Sequence, residues 1–101
     1  MTNIERRPII EGILDGMGQV MPQHKEAIYN ISNEGYLLPI SPDEQDEFIM
    51  IKLKNLLEKQ TDRLTENLQI LEKIDSFLVA DRQQKLETLL ELETKLNSII
   101  K

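Results

Sequence analysis

Apolar residues recur at intervals of three and four through the second half of the chain, which is the spacing of one face of an α-helix. Neither Gly nor Pro occurs after Pro42. Written as heptads, the pattern places one seam at Met50, Leu57, Leu64, Leu71 and Leu78, with companion positions at Leu53, Gln60, Asn67 and Ile74. The pattern predicts a long helix, part of a helical hairpin or coiled coil.

The start of this helix is marked by the segment from Ser41 to Glu44. Ser41 can accept a hydrogen bond at the N-cap, Pro42 suits the first helical position, and Glu44 completes a capping box. The segment therefore predicts a helix that begins at Pro42.

A second cap candidate, Asp81 with Gln84 three residues later, precedes another run of apolar positions that ends at Ile100. It predicts a hairpin of helices over about 42–78 and 82–100, with a tight turn around Phe77 to Asp81. Because this turn lacks Gly, Pro and Asn, one continuous helix to the C-terminus is the alternative.

Two polar residues, Gln60 and Asn67, interrupt the seam. Polar residues at core positions of coiled coils fix register and the number of strands. The alternative interpretation is that this stretch of helix is only loosely covered.

The first 40 residues predict two short helices and a connector. Residues 8–21 have an apolar side, and the spacing of Gly12 and Gly16 leaves a groove where another helix could approach closely. Residues 23–33 form the second predicted helix, which we expect to stop at Gly35. An apolar connector over residues 36–40 follows, so residues 1–101 are interpreted as a single all-α domain.

Helix lengths predict how these parts pack. At 1.5 Å per residue the long helix would measure about 55 Å and the C-terminal one about 30 Å. The N-terminal half of the long helix must then bury its stripe against residues 1–40, another subunit, or both. We expect a homo-oligomeric helical bundle with its interface at Met50, Leu53, Leu57, Leu64, Leu71 and Leu78. A surface for another protein is expected at Ile9, Ile13, Met17, Tyr36 and Leu37.

Charge and composition narrow the class of partner. The chain carries 18 acidic and 12 basic residues, a net charge of -6, all of which lies in the first 50 residues. This acidic excess disfavours nucleic acid as a partner. Four carboxylates, Asp43, Glu44, Asp46 and Glu47, fall in the first turns of the long helix, where negative charge is favoured.

The chain lacks Cys and any long uncharged apolar run, and we expect a cytoplasmic protein without signal peptide or membrane partner.

Candidate catalytic residues are few. The single histidine, His24, lies in a polar segment and is expected to be exposed or capping, and the common phosphate-loop, zinc and calcium motifs are missing from the sequence. Two carboxylate pairs, Glu44/Glu47 and Glu72/Asp75, have i, i+3 spacing and share helix faces. This arrangement resembles the E-x-x-E … E-x-x-D signature of the all-α nucleotide pyrophosphohydrolases of the MazG type. The resemblance implies Mg²⁺ held between facing helices, with a turn near residues 60–62.

The functional expectation is a non-enzymatic protein that acts by protein–protein association as an adaptor, inhibitor or assembly factor, without cofactor or metal. One alternative is an accessory protein of a virus or mobile element that sequesters a host protein or a small anionic ligand. The other alternative is the Mg²⁺-dependent pyrophosphohydrolase.

Overall fold

A computed structural model describes residues 3–100, with side chains from Arg6 to Ile100. It contains four α-helices, α1 (Asn3–Val20), α2 (Lys25–Tyr36), α3 (Pro42–Lys73) and α4 (Val79–Ile99), and a 3₁₀ turn at Pro22–His24. No strand occurs in this range. The prediction of an all-α protein with a C-terminal helical hairpin is confirmed, and the continuous C-terminal helix is excluded.

The start of α3 lies at the predicted residue. The Ser41 hydroxyl oxygen accepts a hydrogen bond from the Glu44 backbone N–H at 3.2 Å. The same hydroxyl donates to the Glu44 carboxylate at 3.0 Å. Glu44 thus holds the cap by binding the Ser41 side chain, and Pro42 occupies the first helical turn.

The turn of the hairpin lies earlier than predicted. Helix α3 ends at Lys73, and Asp75 adopts a left-handed conformation with φ 53°. The Ser76 N–H donates to the Leu71 carbonyl at 3.0 Å and the Asp75 N–H donates to the Glu72 carbonyl at 3.2 Å. These two bonds form a Schellman motif with Asp75 in the position that glycine usually takes.

The start of α4 also differs from the prediction. Helix α4 begins at Val79 with Leu78 at its N-cap and no side-chain cap, so Asp81 lies in the first turn instead of capping it. The predicted turn at residues 77–81 was misplaced because a left-handed Asp, which can reverse the chain without glycine, leaves little signal in the sequence.

The N-terminal helices are longer than predicted. Helix α1 begins at Asn3 and contains Pro8, which is exposed, whereas the sequence predicted a start at Pro8. Helix α2 continues through Gly35 to Tyr36, so the predicted stop at Gly35 is wrong. A Cβ built on Gly35 would lie 2.4 Å from Ile49 Cγ1, and this glycine therefore permits close packing of α2 on α3.

One cluster of buried apolar side chains joins all four helices. Helix α4 packs against both α1 and α3, and α2 packs against α3. At Gly16 an added Cβ would lie 2.9 Å from Leu92 Cδ2, which confirms a close helix approach there, whereas Gly12 faces open space. The cluster consists of Ile10, Ile13, Leu14, Met17, Met21, Ile28, Ile49, Met50, Leu53, Leu57, Leu89, Leu92, Leu96 and Ile99.

This cluster fills only part of the molecule's length. The α3 residues in it end at Leu57, with Leu64 packed against its edge, and the α4 residues begin at Leu89. The long axis measures 50 Å, close to the roughly 48 Å expected for the 32 residues of α3. Residues 65–88 are described throughout and contribute no side chain to the cluster. We call this two-helix segment the arm.

Candidate functional site

The residues predicted to form an oligomer seam lie mostly inside one chain. Met50, Leu53 and Leu57 belong to the core cluster and are at most 2% exposed. Leu71 is buried in the arm, and Leu64 and Leu78 are half-buried. A second subunit is therefore not required to cover this stripe, since α4 and the first 40 residues already do so.

The residues predicted to bind another protein fall into two groups. Ile13 and Met17 are fully buried in the core, and Ile9 and Tyr36 are half-buried. Leu37, in the connector after α2, is 83% exposed. Of this predicted surface, Leu37 is the side chain most open to solvent.

Three of the seven exposed large apolar side chains among the described residues lie at the end of the arm. Ile70, Ile74 and Phe77 are 60%, 68% and 92% exposed. Ile70 and Ile74 lie one helical turn apart, since the Ile74 N–H donates to the Ile70 carbonyl. We call these three residues the apolar tip.

Sequence reasoning identified only part of the apolar tip. Ile74 was placed at a companion position of the seam, and Ile70 and Phe77 were not singled out. The heptad pattern predicts that α3 continues through Phe77 and Leu78. In the structure α3 ends at Lys73, so both residues lie in the turn that follows it. The shifted turn is what leaves Phe77 in solvent, and concentrated exposed apolar residues are a mark of interaction surfaces.

A second feature is a buried cluster of charges between the start of α1 and the start of α3. The side chain of Asp46 is fully buried, with Arg7 Nε 3.5 Å from Oδ1 and Arg6 Nη2 3.9 Å from Oδ2. Arg6 Nη2 also donates to Asp43 Oδ1 at 2.8 Å. Burial raises the pKa of the Asp46 carboxyl above its ordinary value, although Arg7 and Arg6 act to lower it.

Tyr36 completes this cluster from the end of α2. The Arg7 guanidinium lies 4.8 Å from the centre of the Tyr36 ring. The Tyr36 hydroxyl is buried and has no hydrogen-bond partner among the described side chains. Burial and the nearby Asp46 carboxylate raise the pKa of this phenol. The cluster thus joins α1, α2 and α3 through packed charges and an aromatic ring.

The predicted metal-binding carboxylates do not converge. Glu44 and Glu47 lie at the start of α3 and Glu72 near its end, so about 38 Å of uninterrupted helix lies between Glu47 and Glu72. The turn near residues 60–62 that the pyrophosphohydrolase resemblance requires is wrong, because those residues are helical. Among the side chains of residues 6–100, no group of three or more His, Asp or Glu could hold a metal ion.

His24 is exposed and lies at the N-cap of α2 without a side-chain cap bond. In the described part of the chain, no helix combines the length and the apolar character needed to cross a membrane.

Comparisons with protein-family models, curated proteins and solved structures find no match to this chain.

Proposed function

We propose that this protein is a non-enzymatic association module that binds a second copy of itself through the apolar tip of its arm. The observation that carries the proposal is the exposure of Ile70, Ile74 and Phe77 within eight residues of sequence. Removing such side chains from water stabilises an interface by about 25 cal/mol per Å² of apolar surface buried.

The architecture of the arm supports a second copy as the occupant. In the core, α1 lies against both helices of the hairpin, but residues 65–88 add no side chain to that cluster. A second arm related by a two-fold axis would provide two further helices and complete a four-helix bundle. The same apolar tip would then contribute to both sides of the interface.

The charge distribution favours contact at the arm over contact at the other end. The first 50 residues carry 9 acidic and 3 basic residues, a net charge of -6. The arm carries 5 acidic and 3 basic residues, a net charge of -2. Pairing through the arms keeps the two acidic halves far apart, which limits their mutual repulsion.

The chain has no Cys, which is consistent with a reducing compartment, and we place the protein in the cytoplasm.

Sedimentation equilibrium at micromolar concentration tests the proposal. The wild-type chain should sediment as a dimer, with twice the monomer mass of 11.8 kDa. The double variant Ile74→Glu, Phe77→Glu should sediment as a monomer, since it places two charges in each half of the interface. Leu37→Glu is the matched control, because it adds a charge at another exposed leucine, and it should leave the wild-type mass unchanged.

Three outcomes would contradict this function. A wild-type mass of 11.8 kDa across the micromolar range would exclude self-association. An unchanged oligomer in the double variant, with wild-type circular dichroism, would place the contact elsewhere on the molecule. Loss of the oligomer in the Leu37→Glu variant alone would move the interface to the connector.

A further inference from the structure

A groove of about 370 Å³ lies at the base of the arm, where the end of α1 meets α3 and α4. This volume falls within the range of small-molecule sites. Its apolar wall consists of Val20, Met21, Leu64 and Leu89. We call this cavity the basic groove, after the charged residues that line its other side.

The polar lining of the groove comes from three elements. Arg82 and Lys85 lie one turn apart on α4, and Arg63 faces the groove from α3. Three amide side chains complete the lining, Gln23, Gln60 and Asn67. Among these described residues there is no carboxylate, although acidic residues outnumber basic ones 18 to 12 in the chain.

The three cations of the groove differ in their ion pairs. Within the described part of the chain Arg63 has no ion-pair partner. Arg82 Nη1 and Lys85 Nζ lie 2.5 Å and 3.5 Å from Asp81 Oδ2, and the Asp81 side chain is exposed. Exposed ion pairs of this kind contribute little stability, so an anion in the groove competes with a weak contact.

We propose that the basic groove binds a small organic phosphate of nucleotide size. The planar guanidinium groups of Arg63 and Arg82 match the oxygens of a phosphate, and Lys85 adds a third positive charge. The amides can pair with polar edges of the organic part, which packs on the apolar wall. The proposal also gives a role to Gln60 and Asn67, the two polar residues that interrupt the apolar seam.

Isothermal titration calorimetry with ADP, inorganic pyrophosphate and adenosine tests this site on the wild-type protein. ADP should bind most tightly. Pyrophosphate should bind more weakly because it lacks the organic part. Adenosine should give no detectable binding heat because it lacks the negative charge. Raising the NaCl concentration should weaken ADP binding, since the cations lie in an open groove.

Two matched variants assign the binding to the groove. Arg63→Gln should weaken ADP binding by about tenfold or more, because it removes a charged hydrogen-bond donor. Lys59→Gln removes an exposed cation one turn earlier on the same helix, outside the groove, and should leave the affinity unchanged. Unchanged circular dichroism and thermal midpoints confirm that both variants fold.

The proposal is overturned if millimolar ADP gives no heat, or if Arg63→Gln binds ADP as tightly as the wild type. Equal affinity for ADP and pyrophosphate would also overturn it, because the apolar wall would then contribute nothing. Since one chain lines the whole groove, ADP binding should persist in the Ile74→Glu, Phe77→Glu variant. Ligand binding and self-association can therefore fail independently.

Discussion

Two glycines on the N-terminal helices have opposite surroundings. A Cβ at Gly35 would meet Ile49 Cγ1 at 2.4 Å and Cδ1 at 2.8 Å, whereas one at Gly12 would have no atom within 4 Å. We expect Gly35→Ala to lower the free energy of unfolding by about 1–3 kcal/mol through overpacking. Gly12→Ala should raise it by up to about 1 kcal/mol, because alanine favours the helix.

Urea denaturation followed by circular dichroism measures both changes on the same scale. The two variants differ from the wild type by the same methyl group, so each serves as the control for the other. If Gly35→Ala were as stable as the wild type, α2 would not pack on α3 as closely as described.

Asp46 gives the fold a dependence on pH. Its carboxyl pKa is raised above the ordinary value of 3.8, so between pH 3.8 and the native pKa the native state binds more of this proton than the unfolded chain does. Stability from this group is therefore greatest below pH 3.8 and falls as the pH rises towards the native pKa. Asp46→Asn removes the titration. The free energy of unfolding of the wild type minus that of the variant should decrease as the pH rises from about 4 to 7.

Urea titrations of both proteins at a series of pH values give this difference directly. The matched control is Asp62→Asn, which removes an exposed carboxylate from the same helix. A difference that increases with pH would mean that Arg6 and Arg7 outweigh the burial of Asp46.

Single residues differed in how visible their roles were in the sequence. Ser41 could be identified as a cap because the cap and its partner Glu44 are three residues apart and need no other element. The role of Gly35 depends on Ile49, which approaches it only in the folded chain. The sequence likewise places Asp46 only among the carboxylates of the first helical turns, and its burial depends on its contacts with Arg6 and Arg7 of α1.

At the scale of elements, the hairpin turn depends on the left-handed residue Asp75. A left-handed conformation costs an ordinary L-residue about 1–2 kcal/mol, and glycine adopts it freely. Asp75→Gly should therefore raise the free energy of unfolding by up to about 1 kcal/mol. Asp81→Gly, the same substitution within the first turn of α4, should lower it by a similar amount.

Thermal and urea unfolding of the two variants provide the comparison. If Asp75→Gly were the less stable of the two, the Asp75 side chain would have to contribute more than its backbone conformation costs. The hairpin itself would then be held by a contact of that carboxylate.

Helices were more predictable than their ends. The apolar periodicity of α3 and α4 extends over many residues and indicates a helix from any part of it. The end of α3 depends on two hydrogen bonds around Asp75, and no Gly or Pro marks them. The start of α1 before Pro8 was missed because proline usually lies in the first turn, whereas here it lies on the exposed side of a longer helix.

At the scale of the whole molecule, the arm and the core should differ in local stability. Residues 50–57 and 92–99 lie in the four-helix core, whereas residues 65–88 add nothing to that cluster. In the Ile74→Glu, Phe77→Glu variant, amides of the arm should exchange with solvent at least about tenfold faster than core amides. Hydrogen–deuterium exchange resolved by residue or peptide measures this ratio.

The same measurement on the wild type provides the comparison. Self-association through the arm should slow exchange there and leave the core unchanged. Equal protection of arm and core in the variant would mean that the molecule opens only as a unit.

The candidate surfaces could be predicted only in part because burial is a property of the whole chain. The heptad pattern correctly marked Leu53 and Leu57 as interior, but it could not say whether the cover came from the same chain or another. The apolar tip and the basic groove depend on where α1 stops along α3. That position follows from the packing of α1 on α4, between residues more than 70 positions apart in the sequence.

The contact between α1 and α4 also has a consequence for synthesis. Helix α1 is synthesised before α4, and its side chains Ile10, Ile13 and Met17 are buried in a cluster that includes four residues of α4. During synthesis α1 therefore lacks some of its native neighbours until α4 leaves the ribosome. A premature stop anywhere before Val79 would release a chain that lacks α4, with apolar surface open to chaperones and proteases.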